Sequence, residues 1–388
     1  QAPKPAAPAA AKVLKIGAAV PRTGQFHLEG ELIKQGYDLW VNTVNAKGGI
    51  KVGNDTYTVQ FTIYDDESDK NTTARLVEKL ITEDKVDFIF GPFGSALTLA
   101  ALAITEKYGK MFVNPSGNAD AIFEQNAKLM VGIIPPASIL VNAVVDMLGK
   151  MSDPPKTVAL VSKNDLFGQT QRKGVTEYIN KLGTMKIVFD SAYPAEAKDF
   201  ATLLGQIKGS NADVILQLGH AECAQFYAQM RQLGVAPKAY FCSGLPPTDF
   251  AKVVGEAATG VYGYILGWDP RVPYCDDVIG CSKDYEARHK EINKKDSPPS
   301  YVTVNAAGAG VLLTKALQTA GSTDPKAVRD ALDKMKVTIG AGPVDFDQVG
   351  RNRAGAVAVT QIYPGGKVEL VWPPARQTQK PMYPAPAR

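Results

Sequence analysis

The chain has 388 residues, too many for one simple hydrophobic core and suited to two lobes. It is 45% hydrophobic and 21% charged, and its 43 basic and 39 acidic residues leave a net charge of only +4, mixed along the chain. No basic block is interleaved with aromatics, which argues against nucleic acid, and no apolar run approaches the roughly 18 residues of a membrane span.

Residues 1–12 are rich in Ala, Pro and Lys and are expected to form a flexible or polyproline-like lead, as is the Pro-rich tail over 373–388. A mature exported chain starts this way once its signal peptide is removed, and so does a trimmed one. Val13 to Val20 reads as a central strand, turned by Pro21-Arg22-Thr23-Gly24 into a helix from about Glu29 through Val41 that stops at Lys47-Gly48-Gly49. Tyr57 to Tyr64 alternates and is a strand. The acidic loop Asp65 to Asp69 lacks the spacing and central glycine of a calcium loop and instead caps a helix over Thr72 to Thr82.

Val86 to Phe90 is a short buried strand that ends in Gly91-Pro92-Phe93-Gly94. Ser95 then stands at the N-cap of an apolar helix. A second polar turn, Asn114-Pro115-Ser116-Gly117-Asn118, follows the next strand, Met111 to Val113. In an open α/β sheet both turns lie on the rim at the strands' carboxyl ends, where free helix N–H groups attract a carboxylate.

After a helix at Ser138–Met151, strands at Thr157–Val161, Lys186–Asp190, Val214–Leu218, Ala239–Phe241 and Gly260–Leu266 alternate with helices at Gly168–Leu182, Phe200–Lys208, Ala221–Leu233 and Asp249–Val254. The last third is helical at Ser282–Asn293, Tyr301–Thr319 and Pro325–Met335. It closes on strands Ala356–Tyr363 and Lys367–Trp372 joined by a Pro364-Gly365-Gly366 hairpin turn. The βα pattern thus runs twice, as an α/β fold of two Rossmann-like lobes. Breakers at Ile134-Pro135-Pro136, Gly267 to Pro270 and Gly340 to Pro343 suggest that the chain crosses between them more than once. We assign 13–134 with 268–343 to lobe one and 135–267 with 344–372 to lobe two.

The four cysteines form no Cys-x-x-Cys, and the three histidines are scattered, so no metal site is expected. An even count fits two disulfides in an oxidising compartment, Cys223 with Cys242 and Cys275 with Cys281; four reduced, buried thiols are the alternative. Phe93-Gly94-Ser95-Ala96-Leu97 lacks the second glycine of a nucleophile elbow, and Gly308-Ala309-Gly310 lies in an apolar helix rather than after a strand. Neither enzyme chemistry nor a cofactor is expected. His220 follows a second-lobe strand, where facing the cleft and being solvated or satisfied in the core are equally open. Phe26, His27, Phe93 and Phe167 occupy loops just past strands, where a stacking role competes with core filling.

These segments together resemble the type I periplasmic solute-binding proteins of ABC transporters, in the leucine/isoleucine/valine-binding branch. The resemblance is carried by Thr23-Gly24 and Gly30, by Asn45 to Ile50, by Asp65-Asp66 with Asp69, and by Gly91 to Ser95 and Asn114 to Ser116. Later matches are Phe167-Gly168, Lys198-Asp199-Phe200, Arg231 to Gly234 and Gly342-Pro343 with Phe346-Asp347 and Gly350. It implies a monomeric, non-catalytic clamshell in the periplasm or outside the cell that delivers its ligand to a membrane permease, or a sensor of the same shape. It implies a carboxylate-binding serine at Ser95, a head-group turn at Ser116, Gly117 and Asn118, and a covering aromatic at Phe167. The first-loop aromatic is replaced near Glu29, beside Phe26 and His27. The acid that pairs an α-ammonium falls near Gly244, so either Glu222 or Asp249 substitutes or the ligand has no ammonium. We therefore expect an aromatic or branched carboxylate, with a branched-chain amino acid as the close alternative.

Overall fold

A computed structural model describes residues 12–386. The lead expected over 1–12 lies outside the described residues except for Lys12, which already opens the first strand. In the first half, β1 (Lys12–Val20), α1 (His27–Ala46), β2 (Ile50–Val52), β3 (Asp55–Asp65), α2 (Lys70–Thr82), β4 (Phe88–Phe90), α3 (Ser95–Lys107), β5 (Phe112–Asn114), α4 (Asp120–Phe123) and β6 (Met130–Gly132) follow in order. They build a six-stranded sheet in the order β2-β3-β1-β4-β5-β6, parallel apart from the β2–β3 hairpin. Strands this short and apolar stay ordered because both faces are covered, and every residue of β4 and β5 is buried.

The second half runs α5 (Asn142–Gly149), β7 (Thr157–Lys163), α6 (Leu166–Leu182), β8 (Lys186–Tyr193), α7 (Ala201–Ser210), β9 (Val214–Leu218), α8 (Cys223–Gln232), β10 (Ala239–Cys242), α9 (Pro247–Val254) and β11 (Tyr262–Leu266). Three helices come next: α10 (Ser282–Asn293), α11 (Tyr301–Ala320) and α12 (Pro325–Asp333). The hairpin β12 (Lys336–Ile339) and β13 (Gly342–Asp345) then precedes β14 (Val357–Tyr363) and β15 (Lys367–Trp372). The second sheet has seven strands, ordered β15-β14-β11-β10-β9-β7-β8, with β14 and β15 added antiparallel through the expected turn.

Several expectations are corrected. The helix expected from Ser138 starts as a 3-10 turn at Ala137–Ile139 and becomes α-helical only at Asn142. The breaker Gly340 to Pro343 is the turn and first residues of the β12–β13 hairpin. The Pro-rich tail is docked rather than loose: the Thr378 hydroxyl bonds Glu369 at 2.5 Å, and the Met382 N–H donates to Gln361 at 2.7 Å. Proline leaves few tail N–H groups to satisfy, so a handful of bonds to the β14–β15 edge fastens it. Both disulfides pair as expected, Cys223 with Cys242 and Cys275 with Cys281.

The chain passes between the sheets around Ile133 to Pro135, at Leu266 to Trp268 and again near Asn352. Buried Asn352 ties two of these passages by donating to Ile133 O at 2.6 Å and Pro343 O at 3.1 Å. Each sheet has one point where the strand order reverses, between β1 and β4 in the first and between β7 and β9 in the second. A crevice opens there past the carboxyl ends of the strands. The turns and helix starts after these four strands carry Phe26 to Glu29, Gly91 to Ser95, Asp165 to Phe167 and Gly219 to Glu222.

Candidate functional site

The two crevices face one another and enclose a cavity of ≈ 40 Å³, little more than the roughly 30 Å³ of one water. Its wall draws on both lobes. Phe93, Gly94, Ser95, Ser116 and Asn118 come from the first and Phe167, His220, Gly244 and Tyr264 from the second, with Tyr301 and Asn305 from α11. Most of the residues picked out in the sequence therefore meet in one place.

On the first rim Gly94, not Ser95, is the N-cap; its φ of 91° suits glycine. Ser95 is the first helical residue. Its Oγ accepts the N–H groups of Asn118 (3.2 Å) and Ala119 (3.1 Å), which straps the two polar turns together. A hydroxyl that accepts twice keeps its own proton to donate. Ser116 Oγ accepts from Gly94 N at 3.3 Å, and the Asn118 side-chain amide donates to Pro135 O at 2.6 Å at the crossing. The first-turn N–H groups of the 13-residue α3 point past this rim.

The second rim is built of charges and rings. Asp165 caps α6 by accepting Gly168 N at 2.7 Å and lies 3.2 Å from His220 Nε2. Burial alone would lower His220, but the Asp165 carboxylate outweighs it and holds the imidazole above its ordinary value. Burial likewise opposes ionisation of Asp165, yet His220 and the helix-start bond keep that carboxyl below its usual range. Three rings from both lobes surround the imidazole: Phe167 stacks at 5.0 Å, and Phe26 and Phe93 meet it edge-on at 5.1 and 5.8 Å. Lys163, only 3% exposed, lies 3.6 Å from Glu222 and donates across the cleft to Gln25 at 3.1 Å.

Three expected residues do not line the cavity. Gly117 packs against α3, where a Cβ would stand 2.1 Å from Thr98 Oγ1. His27 is exposed, its Nδ1 3.0 Å from Gly24 O, and lines an outer groove of ≈ 770 Å³ with Gln25 and Arg231. Phe26 stands behind Phe93 rather than in the wall. Neither suggested substitute acid lines the cavity either. Glu222 accepts from Tyr193 Oη and His220 N, both at 2.9 Å, and Asp249 pairs with Lys252 at 3.2 Å. No acid fits at Gly244, where a Cβ would stand 1.7 Å from Gly219 O.

Sequence reasoning missed Tyr264, Tyr301, Asn305, Asp165 and Lys163. A polar Asn305 inside the apolar stretch of α11 was the one available signal. It also gave Glu29 no role. Glu29 is 1% exposed in the first turn of α1, and neither carboxylate oxygen has a partner among the described residues. Burial pushes its carboxyl up, with His220 the charge that opposes this most.

This architecture of two facing α/β crevices defines a clamshell binding protein, and comparison with known proteins places it. The family model described as periplasmic binding protein matches residues 13–367, and the chain belongs to that family. It is 27% identical over 387 residues to the Leu/Ile/Val-binding protein homolog 7 of Brucella abortus, covering 95% of this chain and 94% of that one. It is 25% identical to the Leu/Ile/Val-binding protein of Escherichia coli over 87% of each chain. Its fold matches LivJ of Streptococcus pneumoniae in complex with isoleucine (TM-score 0.80, 22% identity, 93% of this chain and 100% of that one). It also matches a Rhodopseudomonas palustris solute-binding protein in complex with benzoate (TM-score 0.77, 20% identity, 92% and 95%). The family is one of substrate-binding proteins. No helix among the described residues is long and apolar enough to cross a membrane.

Proposed function

We propose that the protein is the periplasmic or extracellular binding component of an ABC importer and holds a small carboxylate-bearing ligand between its lobes. It then hands that ligand to a membrane permease. The observation that carries the reading is the first rim: a donor hydroxyl at Ser95, Ser116 beside it and the open first turn of α3 converge on a cavity walled by both lobes. The relatives' names, and the isoleucine and benzoate held by two fold neighbours, support a carboxylate as the common feature.

In this reading the protein acts as a monomer of two lobes, 13–134 with 268 to about 351 and 135–267 with about 352–372, the last boundary moved from the expected 343 because Arg351 still bridges Gly132 of β6. Ser95, Ser116 and Asn118 take the head group, while Phe167 and His220 close over the rest. A cavity of ≈ 40 Å³ admits such a guest only as the lobes and rings part, so binding is coupled to closure. Native mass spectrometry of the purified protein, followed by thermal shift with the molecule found, tests this. A carboxylic acid that raises Tm, with the gain reduced in Ser95→Ala, is expected; a guest with no carboxyl group would overturn the reading.

A further inference from the structure

We propose that Asn305 of α11 selects the ligand: its side-chain oxygen takes a hydrogen-bond donor that the ligand carries besides its carboxylate. This rests on the carboxylate reading above and adds what else the molecule must bring. Among the described residues, buried side-chain atoms without a partner occur on two residues of the cavity wall, Asn305 (Oδ1) and His220 (Nδ1). The other such atoms, both oxygens of Glu29 and Asp249 Oδ2 among them, belong to residues outside that wall. Asn305 is 2% exposed. Tyr301, four positions earlier and so on the same side of the helix, shares the wall with it, which turns this face of α11 to the cavity. Chemistry fixes the amide's orientation. Leu266 O, on a passage between the sheets, only accepts, so the amide nitrogen faces it at 3.3 Å and the oxygen is the end left over.

What that oxygen requires is a donor and nothing else. An amide oxygen accepts and never donates, whereas the unpartnered His220 nitrogen accepts or donates according to the ring's protons and fixes nothing about the guest. Asparagine is also a poor helix former, and here it stands in a run whose neighbours Val304, Ala306 and Ala307 are fully buried. A ligand that completes its hydrogen bonding accounts for a polar side chain at such a position. The ≈ 40 Å³ of the cavity fits one water, enough to meet Oδ1 in the ligand-free protein; a guest displaces it and inherits the demand. A hydroxyl or amino group on the carboxylate satisfies it. An unsubstituted acid, or one bearing only a methyl or ether group, leaves the oxygen bare in a buried site and binds more weakly.

Calorimetric titration of the full chain against two matched sets tests this. One is benzoate with its 3-hydroxy, 4-hydroxy, 4-amino, 4-methyl and 4-methoxy derivatives; the other is 4-methylpentanoate with its 2-hydroxy and 2-amino counterparts. In at least one set a member with a hydroxyl or amino group is expected to bind at least about tenfold more tightly than every member without a donor. Asn305→Leu, close in size but without an acceptor, should weaken that member and tighten the donor-free ones, so that the preference falls to about threefold or less. Asn305→Ala gives the same readout should the leucine variant fail to fold. An asparagine with a merely structural role would instead lower all affinities together and leave the ratio where it was. Ser95→Ala should weaken every member alike and keep the ratio. Three outcomes overturn the proposal: the tenfold preference is found in neither set, the Asn305 variants leave it above about threefold, or no carboxylate binds. Only the last also removes the carboxylate reading.

Discussion

The two rims that face each other across the cleft solve the same problem by different means. On the first, two turns are strapped by hydroxyls: Ser95 Oγ takes Asn118 N and Ala119 N, and Ser116 Oγ takes Gly94 N. On the second, Cys223–Cys242 joins the start of α8 covalently to the end of β10, and the surface is ionic: Asp165 with His220, Lys163 with Glu222. The first rim presents backbone donors and a hydroxyl, which suit an anion with little side-chain cost. The second presents fixed charges and rings, which shape what accompanies that anion. Anchoring and selection are thus separated between the rims.

That contrast can be broken one support at a time. The largest effect should come from replacing Cys223 and Cys242 together by serine. The bridge spans 19 residues, and losing it should cost about 3 kcal/mol of stability by chain entropy, against about 2 kcal/mol for Cys275 and Cys281, which span 6. Denaturant titration of both double variants checks the order. Next, Ser95→Ala removes a bond to a charged ligand group worth about 1.5–3 kcal/mol, a roughly 10–100-fold loss in affinity, read by calorimetry.

Glu29→Gln should stabilise the ligand-free protein by about 1–2 kcal/mol near pH 8. The sign follows from its raised carboxyl. The folded state favours the protonated form, so charging it at higher pH costs stability in the parent alone. The gain should therefore vanish toward pH 4, where both states of the chain are protonated. Melting curves across that range measure it.

The smallest effect should be that of Asp165→Asn. His220, raised, contributes stability that is full below its unfolded value near 6.5 and fades as pH rises through its folded value. Asp165, lowered, contributes above about 3.9 and fades only as pH falls through its own folded value. The variant should flatten the decline in melting temperature as pH rises above about 6.5.

The same contrast explains what could be read from the sequence. The first rim is local: a short apolar strand, a Gly-Pro-Phe-Gly break and a serine before an apolar helix lie within a dozen residues, and their place at a strand's carboxyl end follows from the alternation. Even so, the cap fell one residue off, because Gly94 at positive φ takes the turn and frees Ser95 to tie the second loop. The second rim is assembled from residues 55 apart in the chain, Asp165 and His220, and nothing local announces that pair. In the sequence Glu29 marks only the place where the resemblance loses its first-loop aromatic; its burial, 1% exposed, is not visible there. Gly117 and His27 were misjudged for the converse reason: turn composition marks a rim but not which way each residue on it faces.

A crystal structure of the protein with its copurified ligand would test the central claim most directly. The ligand carboxylate should lie about 3 Å from Ser95 Oγ and from an N–H of the first turn of α3, with the lobes closed around it. A ligand seated instead in the outer groove of ≈ 770 Å³ beside His27 and Arg231, with Ser95 making no contact to it, would contradict it.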